Sequence, residues 1–184
     1  MLTLAGGGAL AGGHCWSEQR LFQLLGAWVP QAPEADVKVV LDRHSAHCAW
    51  RAAQWRGRLP VMAGASPDEL VVAPDRPWEE LLATLGGDGG TDEGTVGRLA
   101  GAYRVALPRL AGAYRRHRAA TTEVADGATR RSLDMALTDL VADWVEGEVL
   151  LQHHLGGAGS RAVHAVAQRV AHLEALLVQG SQAG

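Results

Sequence analysis

The chain has few of the residues that would mark it as a particular class of protein. Two of its 184 residues are cysteine, Cys15 and Cys48, too few for the disulfide framework of a small secreted domain. One lysine, Lys38, stands beside sixteen arginines, and the formal net charge is −3. That balance argues against general nucleic-acid binding, which needs a strongly basic surface. The arginine bias, with abundant Ala and Gly, reads as the coding bias of a GC-rich genome. The N-terminal stretch MLTLAGGGALAGG is apolar but short, broken by glycine and without a basic flank. Neither a signal peptide nor a membrane span is expected from it, so a cytoplasmic location is the default.

What is present is enough for one core. Hydrophobic residues make up 47% of the chain, and a chain of this length is expected to fold as a single domain over residues 1–184. The stretch 42–55, DRHSAHCAWRAAQW, organises the rest. Val37, Val40, Leu41, His44, His47, Cys48 and Trp55 follow one another at helical spacing, so they share a stripe of an α-helix. His44 and His47 lie about one turn apart on that stripe. Arg51 continues close to the His44 line. Two inward imidazoles need partners, because a buried polar group without one costs about 1–3 kcal/mol. A metal, acidic side chains or backbone carbonyls would each serve.

Residues 1–13 read as a flexible lead-in. Gly6, Gly8 and Ala11 fit a G-x-G-x-x-A pattern, but no strand precedes them and no strand–helix alternation follows. A first helix is expected over 14–29, with Glu18 in line with Phe22, Leu25 and Val29. Glu18 is read either as a first-turn carboxylate favoured by the helix dipole or as an inward ligand. A second helix is expected over 33–58, and Pro60 ends it. The crossing that follows holds a short amphipathic helix at 77–85 and a glycine-rich acidic loop at 86–94.

A third helix, 95–123, presents Leu99, Tyr103, Ala106, Leu107, Leu110, Ala113 and Tyr114, continued by His117, with a kink expected at Pro108. The basic run at Arg115, Arg116, His117 and Arg118 reads as a solvated helix surface. After a turn at Asp126-Gly127, a fourth helix, 128–155, carries Leu133, Leu137, Leu140, Trp144 and Leu151, with Asp139, Asp143 and Glu146 one step around. A last helix, 160–179, has an apolar line at Val163, Val166, Val170, Leu173 and Leu177. It is expected to pack across the bundle or onto a second subunit, which suggests a homodimer.

Four long helices, a long central crossing and a trailing helix resemble the ferritin-like four-helix-bundle superfamily over residues 14–155. The pattern Tyr103-Arg104, Tyr114-Arg115, His117, Asp126-Gly127, Arg130, Leu133 and the acid-bearing helix after it is similar to the C-terminal half of its hydroxylases and oxidases, the tRNA-hydroxylase type included. The resemblance implies an all-α, up-down-down-up four-helix bundle with a fifth C-terminal helix. It also implies metal held by Glu and Glu-x-x-His sets on the four helices.

Carried over by position, Glu18 matches the first-helix Glu and His47 a ligand His. His44 stands where Glu is expected, Glu146 where His is expected, and the third helix has no acid in its middle. The implied ligand set is therefore Glu18, His44, His47, Asp143 and Glu146, suited to one iron or another transition metal such as manganese, zinc or copper. Two functions follow. One is a metal-dependent oxidoreductase, an oxidase or oxygenase acting on a small molecule in a pocket lined by Trp16, Trp28, Trp50 and Trp144. The other is a metal-free ferritin-like scaffold acting as a binding or assembly protein.

Overall fold

The computed structural model describes residues 2–61, 66–87 and 94–179. Among these residues the chain is all-helical. The elements are α1 Leu4–Trp28, α2 Ala35–Arg56, α3 Arg76–Gly87, α4 Gly94–Ala100, a π-helical stretch Gly101–Ala106, α5 Leu107–Ala120, α6 Glu123–Gly156 and α7 Ser160–Gln179. Single 3-10 turns occur at Val29–Gln31 and Pro67–Leu70. Of the glycine-rich loop expected at 86–94, residues 88–93 lie outside the described residues.

The lead-in is helical from Leu4 onward. Thr3 caps α1 by accepting a hydrogen bond from the Gly6 N–H at 3.0 Å, and Ala11, Gly12 and Gly13 are buried. Each glycine inside a helix costs about 1 kcal/mol relative to alanine, and the packing explains why it is tolerated. A Cβ on Gly12 would stand 1.9 Å from the Leu70 carbonyl oxygen, and one on Gly8 2.8 Å from the Pro60 ring. The crossing segment thus lies directly on the bare backbone of α1, a close approach that only glycine permits.

The third long segment is interrupted where its proline predicts trouble. Pro108 sits in the first turn of α5, and with no N–H it cannot serve the carbonyl four residues back. The chain widens into the π-helical stretch immediately before it. At the other end, Thr122 caps α6 by accepting from the Ala125 N–H at 3.3 Å. The turn expected at Asp126-Gly127 is a kink inside α6, with Asp126 at φ −126°.

Hydrogen bonds set the helix directions. Cys15 reaches the Ala52 carbonyl, Glu18 meets Arg51, and Ser45 donates to the Phe22 carbonyl, so α1 and α2 run antiparallel. Asp36 with His154, His47 with Asp143 and Arg51 with Asp139 make α2 and α6 antiparallel as well. Arg104 with Glu148 and Arg118 with Asp134 do the same for the π–α5 segment and α6. His44 with Tyr103 and Trp55 with Tyr114 advance together, so α2 and the π–α5 segment are parallel.

Leu21, Leu25, Leu41, Trp55, Leu99, Leu107, Leu133 and Leu140 fill the space between these four rods. α7 lays Val166 and Leu173 on α3 and the α4–π stretch. That contact takes up much of the face on which the sequence suggests a second subunit. Among the described residues no helix is long and apolar enough to cross a membrane.

Candidate functional site

The inward stripe of α2 carries more than histidines. Its centre is Arg51, which has no exposure to solvent. Burial disfavours a charge there, but the Glu18 carboxylate above all, and Asp143 after it, more than restore it, so the guanidinium is held firmly protonated. Arg51 Nε donates to Glu18 Oε1 at 2.7 Å. Its Nη1 donates to Asp139 Oδ2 at 2.5 Å and to Asp143 Oδ2 at 2.7 Å. Nη2 lies 3.2 Å from Cys48 Sγ. One planar fork therefore ties α2 to α1 on one side and to α6 on the other, a geometry that arginine alone among the cationic side chains provides.

The network continues into α5. Tyr114 donates its hydroxyl to Glu18 Oε1 at 2.5 Å and accepts from Trp55 Nε1 at 2.8 Å. Burial, and then the Glu18 charge, raise the Tyr114 phenol well above its ordinary range, so it stays a donor. The Cys48 thiol is also pushed up, by burial and then by Glu18. Glu18 Oε2 remains without a hydrogen-bond partner among the described residues.

The histidines occupy the α2–α6 wall. His44 is fully buried, and burial lowers its pKa against the opposing pull of Asp143 and Glu146. Held neutral, it has one N–H. Nε2 lies 3.1 Å from Glu146 Oε2, and Nδ1 lies 2.8 Å from the Tyr103 hydroxyl. A carboxylate can only accept, so Nε2 carries the proton and Nδ1 accepts from Tyr103. Burial and the Asp143 charge raise the Tyr103 pKa, consistent with that donor role.

Tyr103 reaches this place because α6 has Gly147 opposite it. A Cβ there would overlap the Tyr103 ring at 2.1 Å. Tyr103 also lies in the π-helical stretch, a distortion frequent at functional sites. His47 is half-buried and donates from Nδ1 to Asp143 Oδ1 at 2.7 Å.

Comparison with family models, with curated proteins and with solved structures finds no match for this chain.

Of the five residues expected as ligands, four meet on one wall. His44 Nε2 lies 3.5 Å from Asp143 Oδ1, and His44 and His47 contact Glu146 and Asp143 as above. Glu146 is half-exposed and also pairs with Arg43. Glu18 is held apart from this group by the Arg51 guanidinium. Among the described residues, the side chains whose ligand atoms all lie within 4.8 Å of one another are His47, Asp139 and Asp143, a set that swaps His44 and Glu146 for Asp139.

A di-iron centre does not fit these residues. Glu18 Oε1, Asp139 Oδ2 and Asp143 Oδ2 already accept from Arg51, and a divalent ion between Glu18 and Asp143 would displace the guanidinium. Stranding a fully enclosed charge costs about 3–5 kcal/mol. Trp16 and Trp28 line a groove between α1 and α3, where Arg20 and Arg98 stand over their rings at 5.4 and 5.9 Å. Trp50 is exposed.

Arg51, Asp139, Tyr103 and Tyr114 complete the site without having been expected in it. The sequence does hold one sign of Arg51: its place seven residues after His44 on the same helix line.

Proposed function

We propose that this chain is a ferritin-like bundle whose interior cation is the Arg51 guanidinium, and that it works without a metal, as a binding protein. The helix directions support the bundle type. α1 and α6 run one way and α2 and α5 the other, which is an up-down-down-up order. The observation that carries the metal-free reading is the fork itself: one guanidinium donates to Glu18, Asp139 and Asp143, the acids of α1 and α6 that a metal would need. Tyr103 and Tyr114 stand on the third rod where a metal bundle needs an acid, and both face this network as donors.

The test is elemental analysis of purified protein, repeated after anaerobic loading with Fe(II) and after chelation. The expected result is no stoichiometric transition metal in any of the three. A stoichiometric metal that is retained by the native chain and lost in His47→Ala would overturn the reading.

A second reading has its own observation. The clustering of His47, Asp139 and Asp143 at the half-buried mouth of the wall offers one imidazole and two carboxylates, donors that suit iron, manganese or zinc. In that case the protein is a metal-dependent oxidoreductase acting on a small molecule, and the same experiment selects it.

A further inference from the structure

Away from Arg51, a cleft of about 410 Å³ opens between α1, the segment before α3, and α5. Its inner wall is a pair of histidines 103 residues apart in the sequence. His14 Nε2 lies 3.0 Å from His117 Nδ1, and the two residues are 5% and 2% exposed. Trp55 and Tyr114 pack around them, with the His14 ring 4.9 Å from Trp55 and 4.7 Å from Tyr114. Nothing in the Arg51 network uses this pair.

Each histidine keeps one nitrogen free. His117 Nε2 is buried without a partner among the described residues. The bond between the rings can be made in either sense, so one outer nitrogen is always a donor and the other an acceptor. Burial above all, and then His117 and Arg116 beside it, hold His14 down to about 3, and burial lowers His117. The inner wall is therefore polar but uncharged at neutral pH.

The remaining lining divides in two. Leu10, Trp78 and Leu110 give an apolar floor. The Trp78 ring is fixed there because its Nε1 donates to Ser17 Oγ at 2.8 Å. The rim carries Arg109, which is tied to Asp75 at 3.0 Å, and Arg116, which has no carboxylate partner among the described residues. The volume falls in the range of about 300–1,000 Å³ typical of small-molecule sites.

We infer that this cleft binds a small organic carboxylate with a flat apolar body, its carboxylate on Arg116 and its body between Trp78, Leu10 and Leu110 against the His14–His117 wall. One uncommitted guanidinium matches one carboxylate in a two-point bond. A largely apolar floor suits a ring system and disfavours a more highly charged phosphate, whose desolvation costs more.

The inference rests on reading the chain as a binding protein, but metal analysis and ligand titration fail separately. Metal in the bundle would leave this cleft untouched, and absence of ligand binding would leave the Arg51 argument untouched. The experiment is calorimetric titration of the full chain with 2-naphthoate, and with 2-naphthamide as its uncharged counterpart. Saturable binding of the naphthoate is expected, weaker by about tenfold or more both for the naphthamide and in Arg116→Ala. Arg115→Ala, an exposed neighbour outside the cleft, is expected to bind as the native chain does. No saturable binding at millimolar naphthoate, equal affinity for the two probes, or an Arg116→Ala titration identical to the native one would each overturn the inference.

Discussion

Replacing Arg51 with methionine tests the centre of the structure. Methionine matches the length of the arginine stem but donates nothing, so Glu18, Asp139 and Asp143 lose a common partner. They do not lose it equally. The Glu18 and Asp143 side chains are 0% and 3% exposed, whereas Asp139 is 32% exposed and can turn to water. The cost therefore comes from two enclosed carboxylates.

Removing one member of a buried ion pair costs about 3–5 kcal/mol. For a chain of this size each kcal/mol moves the melting temperature by about 2–4 °C, so Arg51→Met should melt roughly 6–20 °C below the native protein by circular dichroism. Arg51→Lys should recover only part of this, because its point charge cannot reach Glu18 through one nitrogen and the α6 acids through another.

The cycle with Glu18→Gln isolates the pair. The double variant should be more stable than the sum of the single changes predicts, by about 1–3 kcal/mol. In Arg51→Met the vacated place among three carboxylates should also take a divalent cation, seen as a rise in melting temperature on adding Mn(II) that the native chain does not show. A melting point for Arg51→Met within about 1 °C of native would refute the reasoning, since exposed surface substitutions cost no more than about 0.5 kcal/mol.

Two further predictions concern the same bundle. Gly147→Ala forces the Tyr103 ring off α6 and breaks its bond to His44, at about 1–3 kcal/mol of overpacking. Tyr103→Phe keeps the ring but leaves the buried His44 Nδ1 without its donor, at about 1–3 kcal/mol, a loss that Gly147→Ala shares and adds to. Urea titrations that rank the two the other way round would show that the ring contact is not tight. The second prediction concerns acid. His14 titrates near 6.5 when unfolded and at about 3 when folded, so through that interval the unfolded chain holds a proton that the folded chain refuses. Stability should fall as pH drops below 6.5, by up to about 1.4 kcal/mol per pH unit from this residue, and His14→Phe should show a shallower decline between pH 6.5 and 5. Parallel slopes for the two proteins would exclude His14 as the source.

The rods and their apolar stripes were legible because they depend on neighbours three and four residues away. Val37, Val40, Leu41, Leu99, Leu107, Leu133 and Leu140 all turn inward as their spacing implies. Glu18 could be placed on the inward edge for the same reason, though not its partner. Arginine is almost never fully enclosed unless paired, and the acids that enclose Arg51 lie 33, 88 and 92 residues away. By their spacing Tyr103 and Tyr114 belong to the apolar wall. Their hydroxyls find His44 at a separation of 59 residues and Glu18 at 96, which no local period encodes. The lead-in misleads by composition: five glycines in thirteen residues look mobile until the Leu70 backbone and the Pro60 ring are laid against them.

The Arg51 fork also shows why inward acids are insufficient grounds for a metal. Carboxylates buried in a bundle require a cation nearby, and any cation that satisfies them gives the same sequence pattern on α1 and α6. What separates a metal from a guanidinium is the third rod and the second histidine. A metal held by Glu18, His44, His47, Asp143 and Glu146 needs a free lone pair on His44, and the di-iron pattern also needs an anion from the third rod. Here the third rod sends hydroxyl donors, and both His44 nitrogens are engaged, one by Tyr103 and one by Glu146. Donors facing the acids, not further acids, complete the charge pattern around a fixed organic cation. His47 alone on this wall retains a ring nitrogen outside that pattern, so a metal site is more readily accommodated outward from His47 than inward from Glu18.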